Sequence, residues 1–225
     1  MRQTFLIILL FFAFRVSAQT DSKLPKFILK TNLTSPLDIF TFPTIDLSIE
    51  KPISNKFSIT GSFGIEFYDY TIADTSVISL NGYKTSIETR YYPKGINNGF
   101  YIGAQLFLRH DQYTSYISYM KTPGDSLNIY ADYSDKIGVI RKCVGINSVI
   151  GFQSKLSKSF CLDCFAGLGI MYRGIKNTNR DYTKDKLIYY FHGDWPYNGS
   201  ARSMSESSEI SANLTFGVRL GWICK

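Results

Sequence analysis

The sequence predicts an all-β chain, folded as an eight-stranded antiparallel up-and-down transmembrane β-barrel. Three observations lead there. Apolar and polar residues alternate with period two through successive segments. The gaps between segments are alternately tight (52–56, 93–99, 154–159) and long (69–81, 111–136, 176–208), as in barrels with short turns at one end and long loops at the other. The last segment is long, strictly alternating and aromatic near its end.

The first eighteen residues stand apart from this pattern. Arg2 gives a positive start, Phe5–Phe14 is an unbroken apolar run, and Val16-Ser17-Ala18 puts small residues before Gln19. Residues 1–18 read as a secretory signal peptide cut between Ala18 and Gln19, with 19–225 as the barrel domain. Removing Arg2 and Arg15 from the 25 basic residues leaves 23 against 18 acidic ones, a formal charge of +5. That mild excess suits anionic lipid headgroups or lipopolysaccharide, and its dispersal excludes a nucleic-acid surface. Past residue 18 no apolar stretch is long enough for a spanning helix, so any crossing must use a closed barrel.

The strands follow in order. Over 26–34, Phe27, Leu29 and Leu33 oppose Ile28, Lys30 and Asn32; over 44–51, Ile45, Leu47 and Ile49 oppose Asp46, Ser48 and Glu50. The third (57–68) sets Phe57, Ile59, Phe63 and Ile65 against Ser58, Thr60, Ser62 and Glu66. The fourth (83–92) sets Tyr83, Ile87 and Tyr91 against Lys84, Ser86, Glu88 and Arg90. Its register against the third, counted from the short turn, puts Phe57 near Pro93 and Asn81-Gly82 at the foot of a loop. The fifth, from Phe100, has Ile102, Leu106 and Leu108 opposite Tyr101, Gln105 and Arg109. The sixth has Val144, Ile146 and Ile150 opposite Cys143, Asn147 and Gln153; the seventh, Leu162, Leu168 and Ile170 opposite Asp163 and Arg173. The eighth sets Leu214, Phe216, Val218 and Trp222 against Asn213, Thr215 and Arg219. An even strand number places both termini with the short turns, which is the periplasmic side in an outer membrane. The eighth strand ends so near residue 225 that no periplasmic domain is expected.

An eight-stranded lumen is only wide enough to be filled by side chains. The polar faces supply Lys30, Lys84, Arg90, Arg109, Arg173 and Arg219, together with Asp46, Glu50, Glu66, Glu88 and Asp163. Charges buried together must be paired, so these eleven are expected to form an interior network that plugs the lumen, with Lys30–Asp46 and Glu66–Lys84 as neighbours. Residues 111–136 are tyrosine-rich around Thr122-Pro123-Gly124-Asp125 and read as the continuation of strands five and six into one tall hairpin, with an edge open to a partner strand. The last long loop gathers Tyr189, Tyr190, Phe191, His192, Trp195 and Tyr197 among cations, a composition that suits an extracellular protein or glycan, or a lid on the barrel mouth.

No cofactor or metal is expected. Cys161 and Cys164 are three apart and so point to opposite faces of a strand; with Cys143 and Cys224 they read as structural. His110, at the outward top of strand five, is the candidate for a lipid-modifying hydrolase, although Asp111, Gln112 and Tyr113 do not put a serine two residues away as in barrel lipid A deacylases.

With strands and termini placed, the chain resembles the small OmpA/OmpX-type outer-membrane barrels of diderm bacteria. Leu29-Lys30-Thr31-Asn32-Leu33 after a leader ending Ser17-Ala18-Gln19, Glu88-Thr89-Arg90-Tyr91-Tyr92-Pro93, and Gly99-Phe100-Tyr101-Ile102-Gly103 look like an uncharacterised family within that group. The resemblance implies a monomeric barrel of the cell outer membrane with a structural or surface-interaction role, and no catalytic residues. The alternatives are the lipid-modifying hydrolase and a secreted soluble barrel that binds a small apolar ligand.

Overall fold

The structure, a computed structural model, describes residues 24–37, 43–66, 77–96, 98–121, 131–178 and 207–224 (for 77–80, 98, 115–121 and 131–137 the backbone alone). The leader with its Ala18–Gln19 cut, the 122–125 turn, and the aromatic loop from Tyr189 to Tyr197 lie outside the described residues.

Eight strands follow in chain order: β1 (Phe27–Asn32), β2 (Thr44–Pro52), β3 (Phe57–Glu66), β4 (Val77–Tyr91), β5 (Asn98–Lys121), β6 (Ala131–Lys155), β7 (Phe160–Asn177) and β8 (Ser207–Cys224). Each pairs antiparallel with the next, and β8 returns to β1, so the sheet closes on itself. A single 3-10 turn at Ser35–Leu37 is the only helical element among the described residues. Following the pairing round the sheet, Leu29 leads through Ile49, Gly61, Ile87, Leu106, Ile146, Ile170 and Ala212. The β8–β1 offset then returns to position 39, ten residues beyond position 29. With strands about 4.8 Å apart and a rise of about 3.3 Å per residue, a shear of ten tilts them by about 40° around a barrel of about 8 Å radius.

The three connections at one end are tight. In two of them a serine closes the turn in the same way. Ser54 Oγ accepts from the backbone N–H groups of Lys56 and Phe57, and Ser157 Oγ accepts from those of Ser159 and Phe160. The third, between β4 and β5, turns through Gly95 at φ 97°, a left-handed conformation that side-chain-bearing residues rarely adopt.

The wall is inverted relative to a soluble barrel. Leu106, Ile146 and Leu168 point outward with 61%, 47% and 64% of their surface exposed, whereas Arg90 and Arg219 point inward and retain 1% and 3%. Val218 is half-buried on the outer side.

Two expectations need correction. The β3–β4 register is displaced by two residues, with Phe57 opposite Tyr91 rather than Pro93. Asn81-Gly82 is no loop foot: β4 begins at Val77, and Asn81 and Gly82 pair with Gln112 and Asp111. The continuation of strands five and six into one hairpin, by contrast, is seen over 111–121 and 131–136. β5 and β6 pair in one unbroken register from Asn98↔Ser154 to Lys121↔Ala131, and Asp111 and Tyr113 are buried inside.

Such a narrow lumen cannot hold a large side chain at every inward position. Three inward aromatics lie directly opposite glycines: Tyr101↔Gly151, Phe107↔Gly145 and Phe165↔Gly217. A Cβ at Gly145 would come 2.6 Å from Phe107 Cζ, and one at Gly217 2.7 Å from Phe165 Cε1; at Gly151 it would run into the Tyr101 ring. A guanidinium lies over each ring: Arg90 over Tyr101 (4.4 Å), Arg109 over Phe107 (4.5 Å) and Arg219 over Phe165 (3.8 Å). The glycine gives the ring its place, and the ring presents its face to an arginine. Gly151→Val should displace Tyr101 and lower unfolding free energy by about 1–3 kcal/mol, measured by denaturant titration in detergent micelles. Ala104→Val, on the outer face, should leave the midpoint unchanged.

Candidate functional site

Parity along each strand decides which residues enter the lumen, and the tilt decides which of them meet. Near the tight-turn end six charged side chains from five strands converge: Lys30 on β1, Glu50 on β2, Glu88 and Arg90 on β4, Asp163 on β7 and Arg219 on β8. All six are buried. Lys30 Nζ lies 2.6 Å from Glu50 Oε2 and 2.7 Å from Asp163 Oδ2. Arg90 donates to Glu88 through Nε (2.7 Å) and to Asp163 through Nη1 (2.8 Å). Arg219 reaches Glu88 at 3.4 Å and Asp163 at 3.6 Å. Three cations therefore meet three carboxylates.

Neutral groups add further hydrogen bonds to the set. Ser58 Oγ (2.5 Å) and Tyr92 Oη (2.8 Å) donate to Glu50 Oε1. Tyr101 Oη donates to Asp163 Oδ1 at 2.8 Å. Gln153 Oε1 accepts from Lys30 at 2.5 Å. Below this layer Ile28, Cys161 and Ile223 form a small dry cluster. A buried charge carries a desolvation cost of several kcal/mol that only close partners and further hydrogen bonds offset. Asp163, in reach of all three cations, is the centre of that compensation.

The other predicted lumen residues are distributed elsewhere. Lys30 is not beside Asp46. It stands opposite Ser48 and extends toward the turn end, where Glu50 and Asp163 are. The Cα partner of Lys84 is Gly64, and Glu66 packs beside Gly82. Arg109 donates to Asn213 Oδ1 at 2.9 Å, within a polar string in which Asn213 donates to Asn147 and Asn147 to Gln105, each at 2.8 Å. Arg173 pairs with its cross-strand neighbour Glu209 at the partly exposed mouth. Where β5 and β6 continue past these residues, Asp111 and Arg141 form a further buried pair at 2.8 Å.

Between these layers lies a cavity of about 310 Å³. Lys84, Arg109 and Arg219 line it against one acid, Asp46, with Phe107 and Phe165 among its apolar groups.

The expected chemistry residues have plain settings. Cys161 is buried inside the barrel and Cys164 exposed outside it; all four thiols are free. His110 stands opposite Tyr83 and Lys142, with its ring centroid 5.2 Å from that of Tyr83. Tyr92, Tyr101 and Gln153 were not singled out in the sequence, although parity places Tyr101 beside Gln105 and Gln153 beside Asn147 on the polar face.

The chain belongs to a family described as a protein of unknown function, DUF3575, whose profile matches residues 4–189. No curated protein and no solved structure matches it.

Asp163→Ala would leave three buried cations with two carboxylates and free the Tyr101 hydroxyl. It should cost about 3–5 kcal/mol of unfolding free energy, whereas Arg173→Ala at the mouth should cost under about 1 kcal/mol. Guanidinium titrations of both refolded variants would read the contrast; equal costs would contradict the central role of Asp163.

Proposed function

We propose that this chain is a small integral outer-membrane β-barrel with a plugged lumen, its tight turns toward the periplasm and its long connections outside, serving a structural or surface-interaction role. The observation that carries this reading is the outer surface. Near the tight turns it is ringed by Phe27, Phe57, Tyr91, Phe100, Phe160 and Trp222, with contacts between Phe57 and Tyr91 (4.9 Å) and between Phe160 and Trp222 (6.0 Å). A second group of rings, Phe63, Tyr83, His110 and Tyr172, stands further up. The surface between them is aliphatic: Ile49, Ile87, Leu106, Ile146, Leu168 and Leu214 all point outward.

Ten residues of β5 separate Phe100 from His110, about 25 Å along the axis at the tilt derived above. A band of that height between two aromatic girdles is what a lipid-embedded barrel presents. In water the same band would be an exposed apolar surface far larger than monomeric soluble proteins carry. The neutral ion layer across the lumen favours a plugged barrel over a conducting one. His110, within the upper ring, has a packing role that suits an interfacial aromatic group. The β5–β6 hairpin supports a surface role: its strands have 24 and 25 residues, whereas crossing lipid takes about 9–11.

Leu106→Arg, at the middle of the band, should destabilise the membrane-inserted barrel by about 2–4 kcal/mol. The test is gel migration with and without heating, after extraction from the membrane fraction. The native protein should shift with heating and Leu106→Arg should lose most of its folded band. Recovery of native protein from the soluble fraction, with no heat-dependent shift, would contradict the proposal.

A further inference from the structure

Two of the three tight connections share one plan. Ile53-Ser54-Asn55-Lys56-Phe57 joins β2 to β3, and Leu156-Ser157-Lys158-Ser159-Phe160 joins β6 to β7. In the first, the N–H groups of Ile53 and Ser54 donate to Phe57 O at 2.8 and 3.1 Å; in the second, those of Leu156 and Ser157 donate to Phe160 O at 2.9 and 3.1 Å. Equivalent positions carry equivalent chemistry. Ile53 and Leu156 stand 61% and 41% exposed, and Phe57 and Phe160 stand 52% and 43% exposed. Each turn also brings two lysines together: Lys51 and Lys56 at the first, Lys155 and Lys158 at the second, all exposed except the half-buried Lys155. No acidic residue occurs in 51–57 or 154–160. The nearest acids along the chain, Glu50 and Asp163, are turned into the lumen, where Lys30 and Arg90 hold them.

An exposed aliphatic tip, a phenyl group and two ammonium groups on one closed turn suit a boundary between hydrocarbon and charged headgroups. Phe57 and Phe160 belong to the lower aromatic ring, and a lysine at that height lays its stem on apolar surface while its ammonium stays among polar groups. An acidic soluble partner would use the ammonium groups and leave Ile53 and Leu156 in water. The two connections lie four strands apart in a ring of eight, on opposite sides of the barrel. We propose that they are twin binding sites for anionic phospholipid. The phosphate meets Lys51 and Lys56 in one and Lys155 and Lys158 in the other, and the acyl chains lie against Ile53 with Phe57 and Leu156 with Phe160. This rests on the membrane reading above and adds the lipid class and the leaflet. The β4–β5 connection has Lys94 but turns through Gly95 and packs Ile96 against the Tyr92–Tyr101 cluster, so it lacks the exposed aliphatic tip and is no third site.

Native mass spectrometry of the barrel released from a non-ionic detergent tests it. The probes are phosphatidylglycerol and phosphatidylcholine of matched chains, glycerol phosphate and hexaglutamate. Phosphatidylglycerol should form a two-to-one complex, at least about fivefold tighter than any with phosphatidylcholine, the worth of one lysine at an anionic surface. Glycerol phosphate should bind at least about tenfold more weakly than phosphatidylglycerol, the worth of two buried methylenes. Lys51→Gln with Lys56→Gln should remove one bound lipid, and Lys155→Gln with Lys158→Gln the other. Lys142→Gln with Lys176→Gln, exposed cations at the opposite end of the barrel, should leave both in place. Equal binding of the two phospholipids, or two phosphatidylglycerols still bound when all four turn lysines are replaced, would overturn the inference. Equal binding of glycerol phosphate would make the turns plain anion sites, and hexaglutamate bound in place of lipid would make them a docking face for an acidic peptide; either overturns the lipid assignment. All of these outcomes are read on a barrel that shifts with heating, so they fall on this inference alone. A protein with no heat shift would fail the membrane reading instead.

Discussion

Lys30, Arg90 and Arg219 meet Glu50, Glu88 and Asp163 in one cross-section of the lumen. The rest of the architecture depends on the closure of that charge set. A wall with its aliphatic face outward must direct its polar face inward, and eight strands enclose too little space for those groups to be solvated. Each ion is therefore stable only through its neighbours. Five strands contribute to the set, so satisfying it also fixes their relative heights. A slip of two residues keeps every side chain on its proper face yet separates these partners. The ion layer thus supplies the specificity that the period-two pattern alone lacks.

The inward glycines make that layer possible. Gly145, Gly151 and Gly217 face Phe107, Tyr101 and Phe165 across the strands, and each ring lies under a guanidinium. Arg90 and Arg219 are thus held from two directions, by carboxylates and by ring faces. Tyr101 joins the two devices, since its ring supports Arg90 and its hydroxyl bonds Asp163. The arrangement recurs at Arg109, which bonds an asparagine in place of a carboxylate.

Much of this was legible in the residues. Strand number, strand order and the face of each side chain follow from alternation, because one face is almost uniformly apolar and the other crowded and polar. What alternation cannot reveal is azimuth and height. Lys30 finds Asp163, 133 positions away on β7, rather than Asp46 on the neighbouring strand. Long side chains in a barrel of about 8 Å radius reach across the lumen as easily as along the wall. The two-residue error between β3 and β4 has the same origin, since both registers bury the same face. Asp111 and Tyr113 continue the parity of Gln105, Phe107 and Arg109 into the tall hairpin, but no signal in the sequence marks them as buried inside it. The network members Tyr92, Tyr101 and Gln153 are uncharged and carried no signal beyond position.

The inside-out wall is the claim on which everything else stands, and a nitroxide scan along residues 101–108 of β5 in lipid vesicles tests it most directly. Collision with oxygen, which concentrates in the hydrocarbon, should be high at 102, 104, 106 and 108 and low at 101, 103, 105 and 107. The reverse phase, or a flat profile with high accessibility to a water-soluble nickel chelate at Leu106, would contradict the account.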